Sequence, residues 1–258
     1  MENSGQVAVV TGGASGIGLG IARRLAEQGM AVVAADWNGA ACAEAVASLD
    51  GYRDRTAVVE ADVGTEAGSA KAVETAVTRF GRIDLLCNNA AIHPIATIEE
   101  MDVEAWNEAF RVNVNGAFLC SKQALPHMKA QGAGTIVNIG SVSGVSPYVG
   151  GGAYAVTKAA LAMLTRVLAL EAGPAGITVN CISPGSIRHR SPGNGNTAHI
   201  PVGRGGTIDD VASLVIYLAS AEARYMTGAT LVLDGGATAG RKRAGVAVER
   251  LPDQGGER

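Results

Sequence analysis

Tyr154-Ala155-Val156-Thr157-Lys158 sets a phenol and an ammonium one helical turn apart on the same face. A free tyrosine titrates near about pH 10 and is a poor base in neutral water. A neighbouring ammonium favours the phenolate, and each unit of pKa it removes corresponds to about 1.4 kcal/mol. A tyrosine tuned this way can give or take a proton near neutrality. The same spacing also suits a buried ring beside a lysine whose stem lies along apolar surface. The pair therefore gains meaning only from the company it keeps.

That company begins at Thr11-Gly12-Gly13-Ala14-Ser15-Gly16-Ile17-Gly18. An apolar run precedes these residues and a helical pattern follows them. Glycines at such a junction let the backbone approach a pyrophosphate, and the helix N-terminus offers free N–H groups and partial positive charge. Asp36 ends the next apolar run. A carboxylate there can accept hydrogen bonds from ribose hydroxyls and repels a 2′-phosphate, which favours NAD(H) over NADP(H). No Arg or Lys lies in Gly12–Gly18 or directly after Asp36. Asp36 can alternatively cap the following helix, with Trp37-Asn38 completing a turn.

The elements that must hold these residues alternate from end to end. Strands are expected at Gln6–Thr11, Ala31–Asp36, Ala57–Glu60, Asp84–Asn88, Thr135–Gly140, Ile177–Ile182 and Thr230–Leu233. Helices are expected at Ile17–Gln28, Gly39–Ser48, Glu66–Phe80, Glu104–Gln131, Tyr154–Ala172 and Ile208–Ser220, the fourth as one unit or two pieces. This order predicts an α/β fold, a doubly wound, Rossmann-type parallel seven-stranded sheet with helices on both faces. Residues 1–240 read as one domain. Residues 241–258, charged and glycine-rich without periodicity, read as a mobile tail.

Composition removes other classes. With 258 residues, 47% hydrophobic and 17% charged, the chain has ample material for a core. Its 21 basic and 24 acidic residues leave a net charge of −3, with no electrostatic case for nucleic acid or an anionic membrane. The four cysteines, Cys42, Cys87, Cys120 and Cys181, form no C-x-x-C pair, so neither a metal site nor a disulfide framework is implied. No signal peptide is read at the start, and no apolar run of membrane-spanning length is expected. The expected setting is the cytoplasm.

Taken together, TGGASGIG at Thr11–Gly18, Asp62-Val63, Asn88-Asn89-Ala90, Asn113, Ser141, Tyr154 with Lys158, and Pro184-Gly185 resemble the short-chain dehydrogenase/reductase family over about Gln6 to Gly236. The resemblance implies an NAD-dependent enzyme interconverting a secondary alcohol and a ketone. It assigns the catalytic roles to Asn113, Ser141, Tyr154 and Lys158. Ser141 would orient the substrate oxygen, and Tyr154 would exchange its proton. Lys158 would bind the nicotinamide ribose and depress the Tyr154 pKa, and Asn113 would hold a relay water. The cofactor would meet Gly12, Ser15, Gly16, Ile17, Gly18, Asp36 and Trp37. It would also meet Asp62, Val63, Asn89, Ala90, Tyr154, Lys158, Pro184, Gly185 and Ile187, with Asp62 and Val63 at the adenine. The partner is a small-molecule alcohol or ketone. A homo-oligomer, tetramer or dimer, is implied through the long helices containing Asn113 and Tyr154.

The chain departs from the pattern in three places. Ala91 stands where the family has glycine, and His93 follows it as a candidate substrate residue, beside Ser143 near the pocket. The segment from Ser186 to His199 is short and polar for a substrate lid. It carries Arg188, His189 and Arg190, a cationic cluster that suggests a carboxylate, phosphate or phosphonate on the substrate. Two alternatives stay open: an NADPH-dependent reductase of 3-oxoacyl-type ketones, opposed by Asp36, and a non-catalytic dinucleotide-binding protein.

Overall fold

The computed structural model describes residues 5–188 and 197–240. Among these, seven strands form one parallel sheet. They are β1 (Val7–Thr11), β2 (Ala31–Asp36), β3 (Thr56–Glu60), β4 (Leu85–Asn88), β5 (Gly134–Ile139), β6 (Ile177–Pro184) and β9 (Thr230–Leu233). The spatial order is β3-β2-β1-β4-β5-β6-β9. The strands are short apolar runs because helices cover both faces and leave no solvated side to alternate against. β1 is buried at all five positions and β6 at all eight.

The helices divide between the faces. α1 (Gly16–Glu27) and α7 (Ile208–Ala219) place Ile21, Leu25, Val211, Val215 and Leu218 against one face. α3 (Glu66–Phe80), α5 (Gly116–Gln131) and α6 (Gly152–Ala172) place Val73, Ala76, Ala124, Met128, Leu168 and Ala169 against the other. α2 (Gly39–Ser48) packs Cys42 and Ala45 beside Ala14 near the sheet edge. α4 (Val103–Phe110) precedes α5. The strand order therefore reverses beside β1, between β1 and β4, and open α/β sheets bind ligands in the crevice at such a point.

Four sequence expectations are refined. The helix expected over Glu104–Gln131 is α4 and α5 joined by a π-helical turn at Arg111–Asn115. α6 begins at Gly152 rather than Tyr154, which puts Tyr154 inside the first turn. A small parallel pair, β7 (Ile187–Arg188) with β8 (Gly206–Thr207), was not expected. Contrary to the expectation of no membrane-length run, Gly152–Ala175 is long and apolar enough by length and composition to span a bilayer. Here one side of it packs on the sheet through Leu161, Leu168, Ala169 and Ala172. The tail 241–258, His189 and Arg190 lie outside the described residues.

Candidate active site

A cavity of about 980 Å³ opens at the carboxyl ends of β1, β2, β4, β5 and β6. Its first wall is the turn between β1 and α1. Gly12 takes φ +60° and Gly16 φ +51°, conformations that side chains with a Cβ rarely adopt. A Cβ on Gly18 would lie 2.0 Å from the Gly12 carbonyl oxygen, so Gly18 is needed for close packing inside the turn and does not line the cavity. Ser15 is the N-cap of α1, yet its side chain makes no capping hydrogen bond. The Ser15 side chain and the first-turn amides of Gly16 and Ile17 thus stand at the cavity wall, where a pyrophosphate would find donors and the positive end of the helix. This cradle fits a dinucleotide.

Asp36 follows at the end of β2 and is 7% exposed. Its Oδ2 accepts from the Ala14 amide at 3.2 Å and its Oδ1 from the Asn38 amide at 3.1 Å. The capping alternative is settled, because Asn38 caps α2 by accepting from Ala41. Asp36 still has lone pairs facing the cavity, and Trp37 beside it is 71% exposed on the cavity rim.

Asp62 and Val63 line the same end. Asp62 Oδ1 accepts from the Gly64 amide and Oδ2 from Arg111 Nη1 at 2.9 Å. Arg111 also pairs with Glu108 through Nε at 2.6 Å and Nη2 at 2.7 Å. Sequence reasoning missed Arg111 and Glu108 as cavity residues. Their three-residue spacing on a helix was a legible ion-pair signal, but its proximity to Asp62 was not.

Asn89 and Ala90 form the wall after β4. The Asn89 and Ala90 amides both donate to Thr11 Oγ1, at 3.0 and 3.1 Å, and Asn89 Nδ2 donates to the Thr11 carbonyl at 2.9 Å. These bonds lock β4's end to the glycine turn. Pro184 at the end of β6 and Gly185 and Ile187 after it line the far side of the cavity. Arg188 has its backbone in β7.

The chemistry gathers after β5. Ser141, Tyr154 and Lys158 all line the cavity, and the Ser141 side chain lies near enough to the Tyr154 phenol to favour its ionised form. Lys158 Nζ lies 5.5 Å from the Tyr154 ring centroid and donates to the Ile139 carbonyl at 2.7 Å. Burial lowers the Lys158 pKa to about 8. Burial pushes the Tyr154 phenol up, opposed by the nearby Ser141 hydroxyl. The expected depression of Tyr154 by Lys158 does not act among the protein's own groups, where burial dominates: the ammonium sits beside the ring and is bonded to a carbonyl.

Ser143 corrects an expectation. It is 8% exposed, lies off the cavity, and its amide donates to Ser141 Oγ at 3.1 Å. Ser141 Oγ in turn donates to Ser143 Oγ at 3.1 Å, so Ser143 orients Ser141 from behind. Asn113 is also buried, at 1% exposure, and off the cavity. Its Oδ1 accepts from the Ile92 amide at 2.8 Å, and its Nδ2 donates to the Ile92 carbonyl and to Thr157 Oγ1. Both N–H groups of its side chain are committed to tying the loop after β4 to α6. His93 does line the cavity, with its ring centroid 4.2 Å from that of Tyr154.

The glycine-turn cradle, the acid after β2 and a Ser–Tyr–Lys cluster lining the cavity of a doubly wound sheet define the class of dinucleotide-binding oxidoreductases. A family profile described as Enoyl-(Acyl carrier protein) reductase matches residues 12–238. The chain belongs to the short-chain dehydrogenase/reductase family and acts on hydroxyl or carbonyl groups with a nicotinamide dinucleotide. It is 36% identical over 244 residues to 2,5-dichloro-2,5-cyclohexadiene-1,4-diol dehydrogenase of Sphingobium indicum, covering 92% of this chain and 98% of that one. It is 37% identical over 243 residues to trans-4-hydroxycyclohexanecarboxylate dehydrogenase of Sinomonas cyclohexanicum, covering 91% and 93%. It is 39% identical over 246 residues to 3-alpha-(or 20-beta)-hydroxysteroid dehydrogenase of Mycobacterium tuberculosis, covering 92% and 90%.

Proposed function

We propose that this protein is an NAD(H)-dependent dehydrogenase that interconverts a ring-borne secondary alcohol and its ketone, with Tyr154 as the acid/base. The observation that carries this is the convergence of Ser141, Tyr154 and Lys158 on one cavity that also holds the Asp36 carboxylate. β2 and β5 stand three strand spacings apart in the sheet order, about 14 Å, so one extended ligand can reach both ends. A bound nicotinamide supplies the acceptor or donor of hydride at the reacting carbon. Ser141 holds the substrate oxygen, and Tyr154 takes the hydroxyl proton in oxidation or returns it in reduction. Lys158 holds ribose hydroxyls and adds positive charge near the phenol. Asn113 serves through its backbone in the π-helical turn, where regular carbonyl pairing is interrupted and a relay water can be held.

Asp36 supports NAD(H), since a ribose 2′-phosphate would meet its negative charge. The adenine end is bounded by Trp37, Asp62, Val63 and Arg111. The alicyclic substrates in the relatives' names support a ring-borne alcohol. A second reading has an anionic group on that ring, clamped by Arg188 or Arg190. It is supported by the hydroxycyclohexanecarboxylate named for one relative. Unchanged KM in both Arg→Ala variants for every accepted substrate would exclude it.

We also propose assembly into a dimer or tetramer through the outer faces of α5 and α6, supported by exposed Phe118, Val156, Met163, Val167 and Leu170. Four free thiols suit a cytoplasmic setting. The deciding experiment titrates NADH and NADPH against the purified protein by fluorescence, with Tyr154→Phe as control. Tight NADH and weak NADPH binding is expected. Preference for NADPH would promote the 3-oxoacyl-type reductase alternative, and binding of neither would favour a non-catalytic protein.

A further inference from the structure

His93 and Tyr148 lie 55 residues apart in sequence and meet beside the reacting centre. The Tyr148 hydroxyl is hydrogen-bonded to His93 Nε2, and the two rings meet edge to face with centroids 6.0 Å apart. The His93 ring also lies against that of Tyr154, with centroids 4.2 Å apart and an interplanar angle of 31°. The loops that carry the pair are joined: the Ala96 amide donates to the Gly150 carbonyl at 3.0 Å, and Ala96 forms a parallel bridge with Gly151. The contact is therefore built into two braced segments.

Of the pair, His93 lines the cavity, and the loops that carry the two residues expose apolar side chains. Ile95 is 74% exposed, Ile98 68%, Val145 64% and Val149 92%. An apolar rim with one polar pair suits a ligand that is mostly hydrocarbon and carries one polar atom at that point. Burial, followed by the charge of Lys158, holds the His93 pKa below its ordinary value. A neutral imidazole offers one donor and one acceptor. With Nε2 engaged by Tyr148, Nδ1 and the second lone pair of the phenol remain to meet a ligand.

We propose that His93 and Tyr148 together receive a second, uncharged oxygen of the substrate, a hydroxyl or a carbonyl, while Ser141 and Tyr154 hold the reacting one. The inference rests on the alcohol-dehydrogenase reading above and deepens it. The substrate class is an apolar ring carrying two oxygens, with its carbon frame on Ile95, Ile98, Val145 and Val149. The pair is a specificity device and takes no part in hydride or proton transfer.

The test compares cyclohexane-1,4-diol, cyclohexanol and trans-4-hydroxycyclohexanecarboxylate as substrates with NAD⁺, in the full-length protein and in His93→Phe, Tyr148→Phe, the double variant and His93→Asn. The readout is the ratio of kcat/KM for the diol to that for cyclohexanol, with the NADH Kd measured in parallel. The unmodified protein is expected to favour the diol by about tenfold or more, the scale of one good hydrogen bond. Each Phe variant should erase most of that ratio, the double variant should lose no more than either single one, and His93→Asn should recover part of it. NADH affinity should hold within about twofold throughout, because no cofactor contact is removed. A ratio near one in the unmodified protein, or a preference unaffected by the Phe variants, overturns the inference. So does a preference for the carboxylate over the diol, which would return the pocket to the arginines. If NADH binds and cyclohexanol is oxidised without discrimination, only the inference falls. If NADH does not bind, the dehydrogenase reading falls with it.

Discussion

At the scale of single residues, Tyr154 and Lys158 show how burial and charge compete. The phenol is pushed up by desolvation, and the ammonium is brought down to about 8 by the same cause. On the role proposed for Tyr154, replacing it with Phe removes the proton path and leaves the cradle in place. Turnover should fall by about 10²–10⁴-fold with NADH affinity nearly unchanged, measured by steady-state kinetics and fluorescence titration. For Lys158 the folded pKa, about 8, lies below the ordinary 10.5. Between those values the unfolded chain holds a proton the native state lacks, so this group makes stability rise with pH there. Below about 8 both states are protonated, and the cost of the buried charge is fully present. Lys158→Met should remove that contribution. Urea midpoints at about pH 7.5 and pH 10 should then differ less in the variant than in the parent, and an equal difference in both would refute the assignment.

At the scale of elements, the turn between β1 and α1 is the most demanding piece. A Gly18→Ala side chain has no room, since its Cβ meets the Gly12 carbonyl oxygen at 2.0 Å. NADH binding should be lost or weakened more than tenfold, together with a lowered melting temperature, by titration and thermal unfolding. α7 offers a milder case. Thr207 and Asp210 form a reciprocal capping box, and Arg204 pairs with Asp210 at 2.6 Å. Thr207→Ala should cost about 1 kcal/mol, read as a shift in the urea midpoint with an unchanged slope. What was legible in the sequence follows this same division. Thr11–Gly18 and Asp36 could be placed because a local backbone need selects glycine and a strand end presents the acid. The π-helical turn at Arg111–Asn115 could not, because Asn113 is held there by Ile92 and Thr157, partners far along the chain. The pairing of His93 with Tyr148 and the placement of Ser143 behind Ser141 are likewise set by how loops meet, which periodicity does not encode. The motifs read correctly as a family resemblance even though Asn113, one of them, is buried off the cavity.

At the scale of the whole molecule, α6 has two unlike sides. Leu161, Leu168 and Ala169 are buried on the sheet, while Met163 and Leu170 are 55% and 80% exposed. If that outer side joins copies, Met163→Glu with Leu170→Glu should shift the protein to monomers in light scattering and lower its melting temperature in a concentration-dependent way. An unchanged mass would place the oligomer contact elsewhere or remove it. The order β3-β2-β1-β4-β5-β6-β9 carries a different consequence, one of time. β1 is an inner strand whose partner β4 lies far along the chain: the Val7 amide reaches the Asp84 carboxylate across 77 residues. A chain emerging from its N-terminus can assemble the phosphate turn, the Asp36 strand and the Asn89 wall before Tyr154 has been synthesised. The residues that shape the cradle for a nucleotide are thus laid down in the chain ahead of Ser141, Tyr154 and Lys158.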